Sequence, residues 1–521
     1  MSKNSIIKGT LILTIAGFAT RIIGFFYRIF LSNLLKPEDM GIYQLIFPVY
    51  GICFTLYASG IQTSISRLIA AEIGKNDTSN LKRILRTGMT FSLIIAITLS
   101  VLLHQNASFI ATNILLESRC TTSLKILSYV FPFCGITACI NGYYYGIKRA
   151  GVPAMTQLFE QIIRVASVYV LAPLFALGNS EKACELAVWG IVFGEIASNA
   201  YNIISMFIVK PSKIYETYKL KIQALRNYKS HKKEHVTYAS SLFKLALPLT
   251  SNRLLISILS SIEAVLIPSM LREYGLSGTE ALSVYGVLTG MSIPFIMFPS
   301  TITNSFAVLL LPTVSEAQAA NNNNMINKTT ALSIKYSLII GIMSTGIFIT
   351  FGNSLGTLVF GNESAGVFLT ILAWLCPFLY LTTTLGSILN GLGKPHVTFL
   401  NTVVGLSVRI IFVLFLVPQK GIYGYLVGML VSQIIISTLD TFAIFRNVKI
   451  TFNAVDWIVK PGLITAFIGY LTNRSYLYIK DHASMSALAL LLCFCLFLII
   501  CYIIMLFITK AVRMDEFKRA K

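Results

Sequence analysis

Long apolar stretches alternate with short polar segments along almost the whole chain, and most of them are long enough to cross a bilayer as a helix. A helix rises about 1.5 Å per residue, so about 20 apolar residues cover the hydrocarbon layer. The pattern predicts about fourteen membrane-spanning helices, of which the second and the eighth are long enough to be tilted or broken. They lie near residues 9–31, 41–66, 87–104, 123–146, 154–175, 186–209, 245–270, 282–312, 336–352, 365–390, 397–417, 422–445, 459–473 and 484–509.

Lysines and arginines are distributed unequally between alternate loops. With the N-terminus inside, and with Lys460 at the edge of its span counted inside, the inner segments hold 29 of the 42 Lys and Arg residues, the outer loops hold 7, and six lie within spans. By the positive-inside rule we expect both termini in the cytoplasm. The first apolar run resembles a signal peptide, but it is too long and lacks a small-residue cleavage site, so we expect it to be a retained span.

The composition limits the class of protein. With 55% hydrophobic and 12% charged residues, the chain is typical of a polytopic membrane protein. Its net charge of +21 could suit nucleic acid, but the charge lies in the inner loops, where anionic lipid headgroups are the expected contact. The nine cysteines lie mostly inside apolar runs without a Cys-x-x-Cys pair, so we expect neither disulfides nor a metal site.

The chain lacks the usual signatures of enzymes. It has no Gly-x-x-x-x-Gly-Lys-Ser/Thr loop for a nucleotide, no His-Glu-x-x-His pair, and no soluble domain of 100 residues to hold an active site. We therefore expect no catalytic residue and no cofactor. Transport would depend on Na+, H+ or the membrane potential, which supplies about 2.3 kcal/mol per charge per 100 mV.

The two halves of the chain resemble each other. Residues 131–173 align with 376–418, and several identical residues are 245 positions apart: Pro132 and Pro377, Thr137 and Thr382, Gly146 and Gly391, Arg164 and Arg409. The repeat predicts two six-helix lobes, related by a pseudo-two-fold axis along the membrane normal, with a substrate path between them. The predicted divisions are an N-lobe (1–209), a basic cytoplasmic linker (210–244), a C-lobe (245–446), and two added spans with a basic cytoplasmic tail (447–521).

The first span carries two arginines, Arg21 near its middle and Arg28 one heptad later. Seven residues are nearly two helical turns, so both guanidiniums leave the same face, and Gly24 between them allows a close approach to the backbone. A charge at that depth costs at least ~2.5–3.5 kcal/mol and requires a partner or a wet cavity. Arg21 could pair with a carboxylate and Arg28 could extend to the headgroups. Alternatively, both could line a cavity for an anionic substrate.

Other charges also fall inside spans. Glu160 and Arg164 stand at i and i+4, the spacing of a structural ion pair. Arg253 follows Pro248 in the seventh span, where a kink would open space. The remaining candidates for cavity or ion-pair positions are Arg409, Glu195, Glu263 and Asp440. Positive groups slightly outnumber acids, whereas an exporter of cationic drugs would need acids in its cavity. Such an exporter is the alternative hypothesis, ahead of a scaffolding protein or an envelope enzyme.

Several segments resemble one known family. They are KGTLILTIAGFATRIIGFFYRIFLSNLL, SGIQTSISRLIAAE, LFEQIIRV, SNRLLISI and YGVLTGMSIPFIMFPSTITNSFAVLLLPTVSE. They are similar to the stage V sporulation protein B group, in the polysaccharide-transport branch of the multidrug/oligosaccharidyl-lipid/polysaccharide (MOP) exporter superfamily. That superfamily also contains the lipid II flippases and the MATE multidrug exporters.

The resemblance implies a flippase in the bacterial cytoplasmic membrane. Its substrate would be an undecaprenyl-pyrophosphate-linked sugar, such as a lipid II-like peptidoglycan precursor for the spore cortex, moved by alternating access. Lipids and cell-wall synthases would be its partners. Lipid II flippases use arginines in the first span for the pyrophosphate, which Arg21 and Arg28 match. They also use arginines in the second and eighth spans, but 41–66 and 282–312 contain none, which suggests that Arg253 fills part of that role.

Overall fold

The chain is helical throughout the part that the computed structural model describes, which is residues 3–74, 80–175, 180–208, 238–480, 482 and 485–513. These residues contain no β-strand. The predicted all-α polytopic membrane fold is confirmed. The chain forms two compact units: one is Met1–Gly24 with Leu45–Val265, and the other is Phe25–Gln44 with Leu266–Lys521.

In the described part of the chain, ten helices precede the predicted linker. They are α1 (Lys3–Leu34), α2 (Pro37–Leu45), α3 (Phe47–Phe54), α4 (Gly60–Gly74), α5 (Leu81–Gln105), α6 (Ala107–Phe109), α7 (Cys120–Ser128), α8 (Val130–Gly146), α9 (Gly151–Phe175) and α10 (Ser180–Ile208). A π-helical turn, Thr55–Ser59, joins α3 to α4, and a second, Ile110–Ile114, follows α6.

The rest of the described chain forms another twelve helices. They are α11 (Tyr238–Glu273), α12 (Gly278–Gly286), α13 (Ile293–Met297), α14 (Ser300–Ala319), α15 (Asn323–Phe360), α16 (Glu363–Leu372), α17 (Cys376–Gly391), α18 (Pro395–Phe415), α19 (Val417–Lys420), α20 (Ile422–Asn447), α21 (Lys460–Lys480) and α22 (Ala487–Ile508). Further π-helical turns are Val287–Ser292, between α12 and α13, and Val455–Val459, before α21.

Local chemistry sets the ends of the longest helix, α15. The Asn322 side chain accepts a hydrogen bond from the Met325 N–H at 3.0 Å, which satisfies one of the donors that a helix start leaves unpaired. Gly361 has φ +62°, a left-handed conformation that ends the helix at little steric cost. The 38 residues between these caps exceed the length needed for a bilayer.

The number of spans is close to the prediction. In the described residues, twelve helices are long and apolar enough to cross a membrane, and α7 with α8, bent by 43°, form a thirteenth if counted together. The remaining predicted span, 459–473, corresponds to α21. It is helical but carries Lys460, Arg474 and Lys480, so it is less apolar than the others.

The second span begins and ends outside its predicted bounds. It was expected at 41–66, but the helical path runs from Pro37 to Ile73. This extension places Arg67 on the span instead of in a loop. Both long spans are broken by a π-helical turn, Thr55–Ser59 in the second and Val287–Ser292 in the eighth, as their lengths indicated. Most of the predicted linker 210–244 lies outside the described residues, and its last seven residues belong to α11.

The repeat seen in the sequence is also present in the packing inside each unit. Each unit contains a buried apolar cluster, and six pairs of residues 245 positions apart occupy both clusters: Ile65 and Leu310, Ile69 and Val314, Leu81 and Ile326, Ile140 and Leu385, Tyr143 and Ile388, Tyr144 and Leu389. The same side-chain positions therefore build the interior of each half, whereas the assignment of lobe boundaries remains a prediction.

Gly146 and Gly391 make equivalent close contacts. A Cβ added at Gly146 would lie 2.9 Å from the Ser66 carbonyl oxygen, and one at Gly391 would lie 3.1 Å from that of Leu311, again 245 positions on. Small residues let helices in a membrane approach each other closely.

We predict that Gly146→Ala will lower the amount of folded protein in the membrane. The new methyl group would also lie 2.7 Å from the Ile69 Cβ, so α4 and α8 must separate, at a cost of about 1–3 kcal/mol. Abundance after detergent extraction is the measurement. Gly151→Ala, where nothing lies within 4 Å, is the control. Equal abundance of the two variants would show that the contact is not needed.

Candidate functional site

Arg253 is held at the π-helical turn of the second span. Its Nη1 donates to the Ser59 carbonyl oxygen at 2.9 Å, to the Ser59 hydroxyl, and to the Thr63 hydroxyl at 3.4 Å. All three contacts use the same nitrogen, so Nε and Nη2 form no hydrogen bond with other described residues. Turns of this kind inside α-helices often mark functional positions. The guanidinium is therefore held through Nη1, and its other N–H groups remain available to a ligand.

Arg67 is a charged neighbour of Arg253. It lies within electrostatic range, so the two positive charges repel each other. Both side chains are exposed, and neither forms an ion pair with another described residue. Two unpaired cations this close create a local positive potential that an anion would relieve.

Sequence reasoning missed Arg67 because the apolar run appeared to end at residue 66. The residues Ile61, Ile65 and Ile69 are spaced four apart and all buried, and this helical pattern continues past Arg67. Following that spacing instead of average hydropathy would have extended the helix and placed Arg67 on it.

Arg21 lies in the same unit as Arg67 and Arg253. Its side chain is exposed on α1 and forms no hydrogen bond or ion pair with other described residues. Near it, at Gly24, an added Cβ would lie 3.4 Å from Nε2 of Gln161, an ordinary contact distance. Arg28 is also exposed but belongs to the other unit, so the two arginines of the first span are divided between units.

Glu160 and Arg164 form an ion pair on α9, and their side chains are 22% and 21% exposed. Glu195, on α10, joins this pair: it is 4% exposed and interacts electrostatically with both groups. The two helices approach closely because Gly194 stands opposite the Glu160 backbone. Two carboxylates thus lie near one guanidinium, which is paired with Glu160.

The other predicted positions are distributed over both units. Glu263 is buried on α11. Arg409 is half-buried on α18 of the second unit. Asp440 on α20 is fully buried, and its Oδ1 accepts a hydrogen bond from the Asn401 amide at 2.7 Å. Among the described residues, no group of three or more His, Cys, Asp or Glu side chains could hold a metal ion.

We predict that Glu160→Ala and Arg164→Ala will each lower the amount of protein in the membrane. Each substitution leaves a poorly solvated charge without its partner. Breaking a fully buried pair lowers the stability of the fold by roughly 3–5 kcal/mol, and the partial exposure of this pair makes the loss smaller. The double variant should recover part of this loss, with remaining Glu195 limiting the recovery. Quantitative immunoblots of membranes measure the effect. Normal abundance with lost transport in both single variants would place the pair in the mechanism instead.

Comparisons with known proteins give consistent results. A family model for polysaccharide biosynthesis proteins matches residues 6–318, which is more than half of the chain. Stage V sporulation protein B of Bacillus subtilis (strain 168) is 26% identical over all of this chain and 98% of its own length. The resemblance noted in the sequence is thus confirmed.

Two solved structures show the same fold. The lipid II flippase MurJ in an inward closed conformation superposes with a TM-score of 0.70 at 14% identity, covering 95% of this chain and 98% of that one. The inward-facing structure of a multidrug resistance MATE family transporter of the MOP superfamily gives a TM-score of 0.63 at 15% identity, covering 83% and 98%. The family model matches the half of the chain that carries Arg21, Arg67, Arg253 and Glu195. The chain therefore belongs to the polysaccharide biosynthesis protein family.

Proposed function

We propose that this membrane protein is a flippase for undecaprenyl-pyrophosphate-linked sugars, which it moves across the bacterial cytoplasmic membrane by alternating access. The family and the fold support a transporter of the MOP superfamily. The observation that carries the choice of substrate is the pair of exposed, mutually repelling guanidiniums, Arg253 and Arg67, in one unit with Arg21.

The chemistry of a lipid pyrophosphate suits this pair. Its phosphate oxygens carry negative charge, and planar guanidiniums bind them through two parallel N–H···O bonds. Arg253 has the donors for such a fork, because the second span occupies only its Nη1. Hydrogen bonds to charged groups contribute about 1.5–3 kcal/mol each. Arg253 and Arg67 would hold the head group while the polyprenyl tail stays in lipid, and Arg21 in the same unit is the third proposed contact.

The alternative, export of cationic drugs, needs accessible acids. Of the acids inside the predicted spans of the unit that carries the arginines, Glu195 and Glu263 are buried and Glu160 is already paired with Arg164. None of these three is presented as an open cation site, so the charges at membrane depth in this unit favour an anionic substrate.

The proposal includes further expectations from the sequence. The chain would act as a transporter and not as an enzyme, without a bound cofactor, and with both termini in the cytoplasm. Its contacts would be the lipid-linked substrate, membrane lipids and cell-wall synthases. Spore-cortex peptidoglycan is the proposed use, since a sporulation protein aligns over the full chain.

Competition binding tests this proposal on the purified protein. Fluorescent lipid II should bind, inorganic pyrophosphate should displace it, and added salt should weaken it because the contact is ionic. A cationic dye such as ethidium should not compete. Binding of ethidium with no measurable binding of lipid II would favour the drug exporter.

A further inference from the structure

Glu195 is a buried carboxylate that the substrate site does not use. It lies on α10, is 4% exposed, and is close to Glu160 and Arg164, which lie on α9. The Ser198 hydroxyl donates a hydrogen bond to its side chain at 3.3 Å, and the Cys134 thiol is a close neighbour. The remaining titratable groups within electrostatic range are Tyr50 on α3 and Tyr57 in the π-helical turn.

The cluster contains two carboxyl groups, Glu160 and Glu195, and one positive charge, Arg164. Arg164 donates to Glu160, so one carboxylate is neutralised by a salt bridge. The second carboxylate, that of Glu195, accepts a hydrogen bond from the Ser198 hydroxyl and forms no ion pair with another described residue. An ionised carboxylate costs several kcal/mol to bury without a counter-charge, and two acids at one site cannot both ionise easily. A proton on Glu195 removes the excess negative charge.

The second half of the chain is packed in the same way without these acids. Gly405, the counterpart of Glu160 at a spacing of 245, lies against Ser432 of α20, whose hydroxyl donates to the Gly405 carbonyl at 2.8 Å. In the first half, Gly194 lies against the carbonyl oxygen of Glu160, as Ser432 lies against that of Gly405. Gly194 therefore corresponds to Ser432, and the next residue, Glu195, corresponds to Gln433. A neutral amide therefore serves the fold at this position, and the carboxylate of Glu195 needs another explanation.

A chain of contacts leads from the surroundings of Glu195 to Arg253 within the same unit. The Cys134 sulfur lies 3.5 Å from the Tyr50 hydroxyl, the Tyr50 ring lies 5.9 Å from that of Phe54, and the Phe54 ring lies 6.0 Å from that of Tyr57. Tyr57 belongs to the π-helical turn Thr55–Ser59, and Ser59 at its end accepts the hydrogen bonds of Arg253. The charge of Glu195 thus acts on the turn that anchors a substrate-binding arginine.

We infer that Glu195 is a proton-binding site of the transport cycle. Its carboxylate takes one proton from water to become a neutral acid and returns that proton to water in a later step. The protonation state alters the turn Thr55–Ser59 and, through Ser59, the position of Arg253. The link to transport rests on the proposed function, whereas proton binding by Glu195 does not.

Infrared spectroscopy of the purified protein tests proton binding without any substrate. At neutral pH the wild type should show the carbonyl band of a protonated carboxyl group that Glu195→Gln lacks. Glu181→Gln, an exposed acid on the same helix, should retain the band. A band that persists in Glu195→Gln would overturn the site, and so would a band that Na+ titrates away, since that would identify a cation site. Gln433 at the equivalent position indicates that the Gln variant folds.

Proteoliposomes test the link to transport. An imposed pH gradient should accelerate translocation of labelled lipid II by the wild type and by Glu181→Gln, and this acceleration should be lost in Glu195→Gln. Acceleration retained in Glu195→Gln would contradict the coupling. If the wild type moves no lipid II, the proposed function fails, while the infrared experiment still decides whether Glu195 binds a proton.

Discussion

Arg21→Ala is expected to abolish translocation of labelled lipid II in proteoliposomes while leaving membrane insertion intact. The side chain is exposed and has no hydrogen bond or ion pair within the described residues, so its loss removes no polar contact among them. Its proposed partner is the pyrophosphate, and losing one bidentate contact of about 1.5–3 kcal/mol weakens binding by roughly 10- to 100-fold. Arg21→Lys should also fail, because an ammonium keeps the charge but not the planar fork.

A matched control separates the site from general effects of positive charge. Arg446 is an exposed arginine in the last turn of α20, and Arg446→Ala should transport like the wild type. Normal transport by Arg21→Ala would show that the first span does not bind substrate. Reduced membrane abundance of Arg21→Ala would instead indicate a structural arginine.

Arg253→Gln and Arg67→Gln are expected to weaken lipid pyrophosphate binding, each by roughly 10-fold or more, as for any lost charge-assisted contact. Removing a structural arginine would lower the melting temperature of the ligand-free protein, and we expect the opposite effect here. Arg67 and Arg253 repel each other, so Arg67→Gln relieves the repulsion and should raise the melting temperature without ligand. Loss of function with a gain in stability is the signature of a strained binding site.

Thermal unfolding with and without undecaprenyl pyrophosphate measures both quantities. The ligand should raise the melting temperature of the wild type strongly, because anion binding cancels the repulsion, and that of either variant much less. Arg253→Gln should also reduce any substrate-dependent change of conformation, since the ligand shifts an equilibrium only by its differential affinity. An equal ligand-induced shift in all three proteins would show that these arginines do not contact the ligand.

Most of the fold could be predicted from the sequence because bilayer solvation imposes a strong pattern. Spanning segments must satisfy their backbone hydrogen bonds internally, so apolar runs of sufficient length become helices. The repeat was visible for a related reason: positions such as Ile69 and Val314 fill the same place in each interior, and packing restricts what they can be.

The site was harder to predict because it depends on contacts between distant residues. Arg253 was identified as a charge in a span, but its anchoring by Ser59, 194 positions away, leaves no local pattern. Glu195 was noted as an isolated acid, and only the packing of α10 on α9 shows that it lies beside the Glu160–Arg164 pair. Arg67 was assigned to an inner loop because the apolar run of the second span ends at residue 66, and the residue that follows was counted with the loop.

The measurement that tests the central claim most directly is translocation of labelled lipid II by the purified protein in proteoliposomes, with a cationic dye as a parallel substrate. We predict that the wild type moves lipid II between leaflets and does not accumulate ethidium, and that Arg21→Ala moves lipid II no faster than protein-free vesicles. Accumulation of ethidium together with lipid II movement at the protein-free rate would contradict the account and identify a cation exporter on the same fold.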